Sequence, residues 1–322
     1  MHPISTGSLA LDRCLGGNGI CEGEVTEFSG GPASAKTQLA MQLCINAQLP
    51  STSNVNSRSG AIFIDAEGAF MSERVSEMAE YAAPPSTSAH SMLRNIWLYR
   101  VHSAEELRGV VELLENSISA FNARIVVIDS IAFHMRHGIT QSERQPVLQA
   151  IMHTLVKLAH DQRIAVVVVN QAVARLDTAS TGPSDSGITA ALGESFAHMC
   201  STRILLGFSS FDRCAWLVKS PKHPKCSTPF AVTHAGIRDS RKRHQPDDAG
   251  DDPAESHHQS RDNPNVRLHH EEENDGFRAQ PSQQAVQQAP LERVGDIEET
   301  VRNENCTSIV EDSQEGDQGI QN

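Results

Sequence analysis

At 322 residues, 39% of them apolar, the chain can hold one large domain or two ordinary ones, each with a sizeable core. Seven Cys without a C-x-x-C pair speak against a disulfide framework or zinc finger and for buried thiols in a reducing compartment; no apolar run reaches membrane-spanning length and Met1-His2-Pro3 opens no signal peptide, so a soluble intracellular protein with no membrane partner is expected. The net charge of -13 is lopsided, because from residue 241 onward 8 Lys and Arg face 19 Asp and Glu, and the nearly neutral remainder keeps a nucleic-acid partner open.

In chain order, residues 4–20 read as a short helix closed by Gly16-Gly17, with Ser5 or Thr6 as its cap and Leu11 and Leu15 on one face. Glu24 to Phe28 suits a strand, holding Val, Thr and Phe. Behind the next loop, Leu39, Leu43 and Ala47 fall on one helical face. The continuous apolar run Ala61 to Asp65 predicts a buried parallel strand, followed by a helix over Phe70 to Tyr81 and a surface excursion at Pro84-Pro85. Asn95 to Val101 is a third strand, Ala104 to Ser119 a helix, Arg124 to Ser130 a buried strand and Ile164 to Val169 another. A strand from Ser201 to Phe208, a hairpin with Ala215 to Lys219, and Phe230 to Asp239 close the fold. Strands alternating with helices predict an α/β class with a mostly parallel central sheet flanked by helices. From Ser240 apolar periodicity disappears and Gln, Asp, Glu, His, Asn and Pro dominate, so residues 241–322 read as a disordered tail behind a core of residues 1–240.

One loop has the makings of a phosphate site. Gly30, Gly31, Pro32, Ala33, Ser34, Ala35, Lys36 and Thr37 stand between a strand and a helix, the layout in which backbone N–H groups and a helix N-terminus converge on an anion. Lys36 would add charge at the outer phosphates and Thr37 would ligate Mg²⁺. The second glycine of that pattern is Ala35, whose Cβ threatens both close approach and a left-handed backbone. The same residues also suit an ordinary strand–loop–helix turn carrying a lysine. Asp129 ends an apolar strand in the arrangement that places a carboxylate near Mg²⁺. Lys36, Glu67, Asp129 and Gln171 all follow strand ends, where open α/β sheets put their ligands. Phe133 to Gln145 and Ala172 to Ala191 read as two binding loops whose Arg136, Arg144 and Arg175 offer phosphate-backbone contacts. His198 reads as structural, and Arg241-Lys242-Arg243-His244 as a small basic cluster that suits a nuclear signal.

These stretches, with Gly7 to Asp12, Ala35 to Leu39, Phe63 to Phe70, Val127 to Phe133, Val169 to Gln171, Ala191 to Ser195 and Lys219 to Pro221, resemble the ATPase core of the eukaryotic RecA-family recombinases, the Rad group. The closest likeness is to their C-type paralogue, over roughly residues 4–239. The resemblance implies a RecA-like P-loop fold that takes ATP and Mg²⁺, with residues 30–38, Gln38 included, around the nucleotide. By it, Thr37 and Asp129 serve the metal, Glu67 activates water, Lys36 stabilises charge and Gln171 senses the γ-phosphate. It further implies a nuclear DNA-dependent ATPase that mediates double-strand break repair by homologous recombination. Its expected partners are other paralogues, the main recombinase and single-stranded or branched DNA. Ala35 departs from the pattern, which leaves a catalytically weak scaffolding paralogue as the alternative. The family's small helical N-terminal domain has no counterpart here, which leaves open whether Met1 is the natural start.

Overall fold

The computed structural model describes residues 3–17, 19–50, 59–136, 140–174, 188–190, 192–209, 212–240 and 291–297. In chain order these form α1 (Leu9–Cys14), β1 (Val25–Gly30), α2 (Lys36–Asn46), β2 (Gly60–Asp65), α3 (Ser72–Ala82), α4 (Ala89–Arg94), β3 (Ile96–Arg100) and α5 (Ala104–Ala120). There follow β4 (Ala123–Asp129), α6 (Phe133–Arg136), α7 (Gln141–Gln162), β5 (Ala165–Ala174), β6 (Ile188–Ala190) and α8 (Gly193–Met199). The remaining strands are β7 (Thr202–Ser209), β8 (Asp212–Lys219), β9 (Cys226–Thr233), β10 (Gly236–Asp239) and β11 (Leu291–Arg293).

The sheet order is β10-β9-β8-β7-β1-β5-β4-β2-β3-β11, with β6 pairing β5 off this path. From β7 to β3 every pairing is parallel, and β8, β9, β10 and β11 extend the two sides antiparallel. β1, β2 and β4 are buried along their whole length, as the apolar runs of β2 and β4 predict for strands covered on both faces, whereas β1 buries Thr26, Glu27 and Ser29 as well. One core cluster packs Leu39, Leu43 and Ile45 of α2 on Phe28, Phe63, Val127 and Val167. The other packs Leu107, Val111 and Leu114 of α5 and Leu148, Met152 and Leu155 of α7 on Ile62, Val126 and Val166. Among the described residues no helix is long and apolar enough to cross a membrane.

Several local expectations change. The cap of α1 is Ser8, whose Oγ accepts from Leu11 N–H at 3.1 Å, because the hydroxyls of Ser5 and Thr6 are taken by Asp12. Ser8 Oγ and Ala10 N–H also donate to Asp239, so the end of β10 clasps the start of α1. The loop expected over 133–145 is partly helical, since α6 covers Phe133–Arg136 and α7 opens at Gln141. Inside the excursion after Pro85, Ser88 caps the six-residue α4. Cys14 and Cys226 are joined as a disulfide across 212 residues of sequence, whereas seven thiols were expected; the pairing brings together α1 and β9, which local cysteine spacing does not report. Finally, the composition of 241–322 predicts disorder throughout, yet Leu291–Arg293 pair antiparallel with Trp97–Tyr99 of β3 and Val294 is fully buried. Three strand residues amid polar sequence are too few to register as a period.

Candidate functional site

β1, β5, β4 and β2 lie side by side, and their carboxyl ends deliver the polar residues that follow each strand. Gly30 is the last residue of β1 and pairs in register with Gln171 of β5. It admits no side chain, because a Cβ there would lie 2.2 Å from the Leu206 carbonyl oxygen. The loop then turns through two left-handed residues, Ala33 at φ 60° and Ala35 at φ 72°. Both carry the Cβ that glycine avoids, at a cost of roughly 1–2 kcal/mol each. Ala35 thus takes the backbone its position requires despite its methyl, which packs against the apolar core. Ala35 is also the N-cap of the eleven-residue α2 and supplies no side-chain cap. The first-turn N–H groups of that helix are therefore served by no capping side chain, which suits an anion.

Lys36 donates from Nζ to the Gly31 carbonyl at 2.7 Å and to Ser34 Oγ at 3.4 Å. Burial lowers its pKa, against the opposing pull of the Asp129 and Glu67 carboxylates. Asp129, 2% exposed at the end of β4, has its pKa pushed up to about 6 by burial, while a hydrogen bond from the Thr37 side chain pulls the other way. Its Oδ2 is buried without a hydrogen-bond partner. A buried acceptor lacking a partner beside the Thr37 hydroxyl is the donor chemistry a divalent cation takes, so these residues fit Mg²⁺ and a phosphate chain.

The raised pKa has a measurable consequence without any cation. An acid whose folded pKa exceeds its unfolded value keeps its proton longer in the native state, so the native state binds more protons between about pH 4 and 6. Stability from this group is present below that window and falls as pH rises through it, by a few kcal/mol. Asp129→Asn is expected to remove that slope. The check is the denaturant midpoint of metal-free native and variant chains from pH 4 to 7, and parallel profiles would refute the assignment.

Glu67, exposed at the end of β2, accepts through Oε1 from the Ser130 hydroxyl and from Gln171 Nε2, the latter at 3.2 Å. Its backbone is fixed by Asp65. That buried carboxylate accepts from the N–H groups of Glu67 at 3.2 Å, Ala69 at 3.1 Å and Phe70 at 3.1 Å. Asp65 is a positioning residue that the sequence marked only as a strand end. Lys36, Thr37, Glu67, Asp129 and Gln171 are therefore brought together.

Beside the loop opens a cleft of about 640 Å³ lined by Ala33 to Gln38 and walled by Arg74, Arg213 and His234. Arg213 donates from Nε to the Ala33 carbonyl at 3.2 Å and sits 5.3 Å over the Phe208 ring. Arg74 donates to Gln38 Oε1 at 2.8 Å and to the carbonyls of Thr233 and His234, strapping α2 to the β9–β10 turn. These wall residues belong to no motif, and nothing in the sequence marks them. Of the arginines assigned to phosphate-backbone contacts, Arg136 ends α6 and Arg144 lies in the first turn of α7, its Nε buried without a hydrogen-bond partner. Arg175 lies outside the described residues.

A family model described as Rad51 matches residues 1–240. The chain is similar to the DNA repair protein RAD51 homolog 3 of Cricetulus griseus, at 32% identity over 74% of this chain and 68% of that protein. It is also similar to the DNA repair and recombination protein RadA of Aeropyrum pernix, at 34% identity over 73% of each. Among solved structures, that of the RadB recombinase superposes with a TM-score of 0.61 at 26% identity, over 74% of this chain and 100% of that one.

Proposed function

The chain belongs to the Rad51 family of recombinases, and from that premise we propose that it is an ATP-binding, DNA-dependent ATPase that serves homologous-recombination repair as a mediator beside other paralogues. The observation that carries this reading is the convergence of Lys36, Thr37, Glu67, Asp129 and Gln171 at the carboxyl ends of β1, β2, β4 and β5. Proteins of the family bind ATP with Mg²⁺, and the donor chemistry fits both. The loop 30–37 and the α2 N-terminus would hold the phosphates, Lys36 neutralising the outer ones. Thr37 and Asp129 would hold Mg²⁺, which when bound offsets charge on the phosphate oxygens. Glu67, held by Ser130 and by the Asp65 clamp, accepts a proton from the attacking water. Gln171, bonded to Glu67, ties that carboxylate to β5 and so to the segment that follows it, where DNA contacts through Arg175 are proposed alongside Arg136 and Arg144. We place the protein in the nucleus, nearest the C-type paralogues. Its proposed partners are other paralogues, the main recombinase and single-stranded or branched DNA.

Ala33 and Ala35 favour a second reading. Two non-glycine residues at positive φ put backbone strain into the loop proposed to hold the phosphates, which suits a scaffold with little turnover. Equilibrium ATP–Mg²⁺ binding by the full chain, co-expressed with a paralogue if it needs one for solubility, tests the first reading. Lys36→Ala is expected to weaken binding about 10–100-fold through loss of charge-assisted contacts. No binding by well-folded native chain sinks the nucleotide reading. Binding with a large gain in turnover on Ala35→Gly selects the scaffold.

A further inference from the structure

An outermost strand leaves a row of backbone N–H and C=O groups open to pairing with another chain, and proteins cover such rows explicitly. On the β3 side of this sheet the cover comes from the chain's own tail. Leu291, Glu292 and Arg293 pair with Tyr99, Leu98 and Trp97. Arg293 lies 4.3 Å over the Trp97 ring, whose other side stacks on Phe121 at 3.9 Å. On the opposite face Val294 is fully buried in the core cluster that holds Ile96 and Leu98, and Ile297 packs against the same cluster. Gly295 presses on α4 so closely that a Cβ there would lie 2.5 Å from Arg94 Cγ. Charges match along the seam, with Arg94 to Asp296 at 3.2 Å and Arg100 to Glu292 at 3.8 Å.

The contact is built like a ligand rather than like an integral strand. It holds only three paired residues, all exposed, and its anchors are one buried valine and one half-buried isoleucine. Fifty residues separate Ser240 from Leu291, so the segment reaches β3 through a long connection rather than a tight turn. Any second copy carries the same segment with the same complementary charges and apolar anchors. We propose that residues 291–297 are a displaceable plug that closes the β3 edge from within the chain and denies it to the equivalent segment of a second copy. This is β-augmentation performed in cis. Detaching the plug opens an assembly surface, and the plug sets the threshold that a competing strand must overcome.

The probe is a fluorescein-labelled peptide of residues 288–299, titrated into the full native chain and into full-length Val294→Asp/Gly295→Val, whose own plug cannot seat. The peptide is expected to bind the variant at least tenfold more tightly than the native chain, with a change in Trp97 emission. Equal affinities, or no binding to a variant that unfolds at the native temperature, overturn the proposal. Should the variant fail to fold, hydrogen exchange of the native chain decides. Slow exchange at the amides of 97–99 and 291–293, accelerated at 291–293 by excess unlabelled peptide, supports the plug. Fast exchange there in the native chain, or no response to peptide, overturns it.

Discussion

Replacing Glu67 by Gln is expected to lower ATP turnover by about 10²–10⁴-fold while leaving ATP–Mg²⁺ affinity within about threefold. The asymmetry follows from how the side chain is held. The Glu67 Oε1 accepts from Ser130 and Gln171, and its amide is clamped by Asp65, so a carboxamide oxygen can keep both bonds and the loop can keep its shape. What Gln lacks is a basic oxygen for the proton of the attacking water. In the proposed reading binding relies on other groups, chiefly Lys36, Thr37 and the α2 N-terminus, which has no side-chain cap. Phosphate release under saturating ATP, with and without single-stranded DNA, reads the first quantity, and equilibrium binding reads the second. Variant turnover within a factor of three of native would remove Glu67 from the chemistry. A variant that loses binding as well would make it a structural residue of the loop.

Arg203→Leu is expected to destabilise the fold by about 3–5 kcal/mol, the cost of leaving a buried carboxylate without its counter-charge. Glu27 lies in the middle of β1, fully buried, and its two oxygens are shared between neighbouring strands. Arg203 of β7 bonds Oε2, and Asn170 Nδ2 of β5 bonds Oε1 at 2.8 Å. Loss of the guanidinium leaves the fully buried acid without its counter-charge. Removing both charges with Glu27→Met/Arg203→Leu should recover most of the loss, because replacing a buried pair by apolar residues is often neutral. Chemical denaturation of the native chain and the two variants provides the test, and a single-variant loss below about 1 kcal/mol would show that the acid relaxes into its neutral form. The same bonds bear on the site. Gly30 and Gln171 are register partners three residues and one residue beyond Glu27 and Asn170, so the cross-strand tie lies close to the strand ends that carry the candidate site.

What could be read in advance, and what could not, follows from where information sits in a chain. Lys36 and Thr37 stood out by the pattern of residues 30–37, and Glu67, Asp129 and Gln171 because each ends or follows an apolar run that reads as a buried strand, and parallel topology brings such ends to one side. Arg74, Arg213 and His234 stood out nowhere. They reach the cleft from a helix, an antiparallel strand and a turn whose positions depend on long-range packing. Asp65 read as the last residue of a strand, and its three backbone acceptances are invisible without the turn that follows. Ala35 was flagged for its Cβ, and the backbone there is indeed left-handed; the core contact of its methyl could not be foreseen. Residues 291–297 failed every local test because three strand residues borrow their order from β3.

The clasp between Asp239 and the start of α1 has a temporal side. The acid that receives Ser8 and Ala10 arrives 231 residues after Ser8. At synthesis rates of about 5–20 residues per second, roughly 10–50 s pass before that partner exists. Through that interval the six-residue α1 has only local bonds, the Ser8 cap and those of Ser5 and Thr6 to Asp12, and a helix that short does not persist alone. This segment, made long before β10, is thus locked late, and a nascent chain stalled before β10 would present the apolar Leu11 and Leu15 to whatever chaperone waits at the exit of the ribosome.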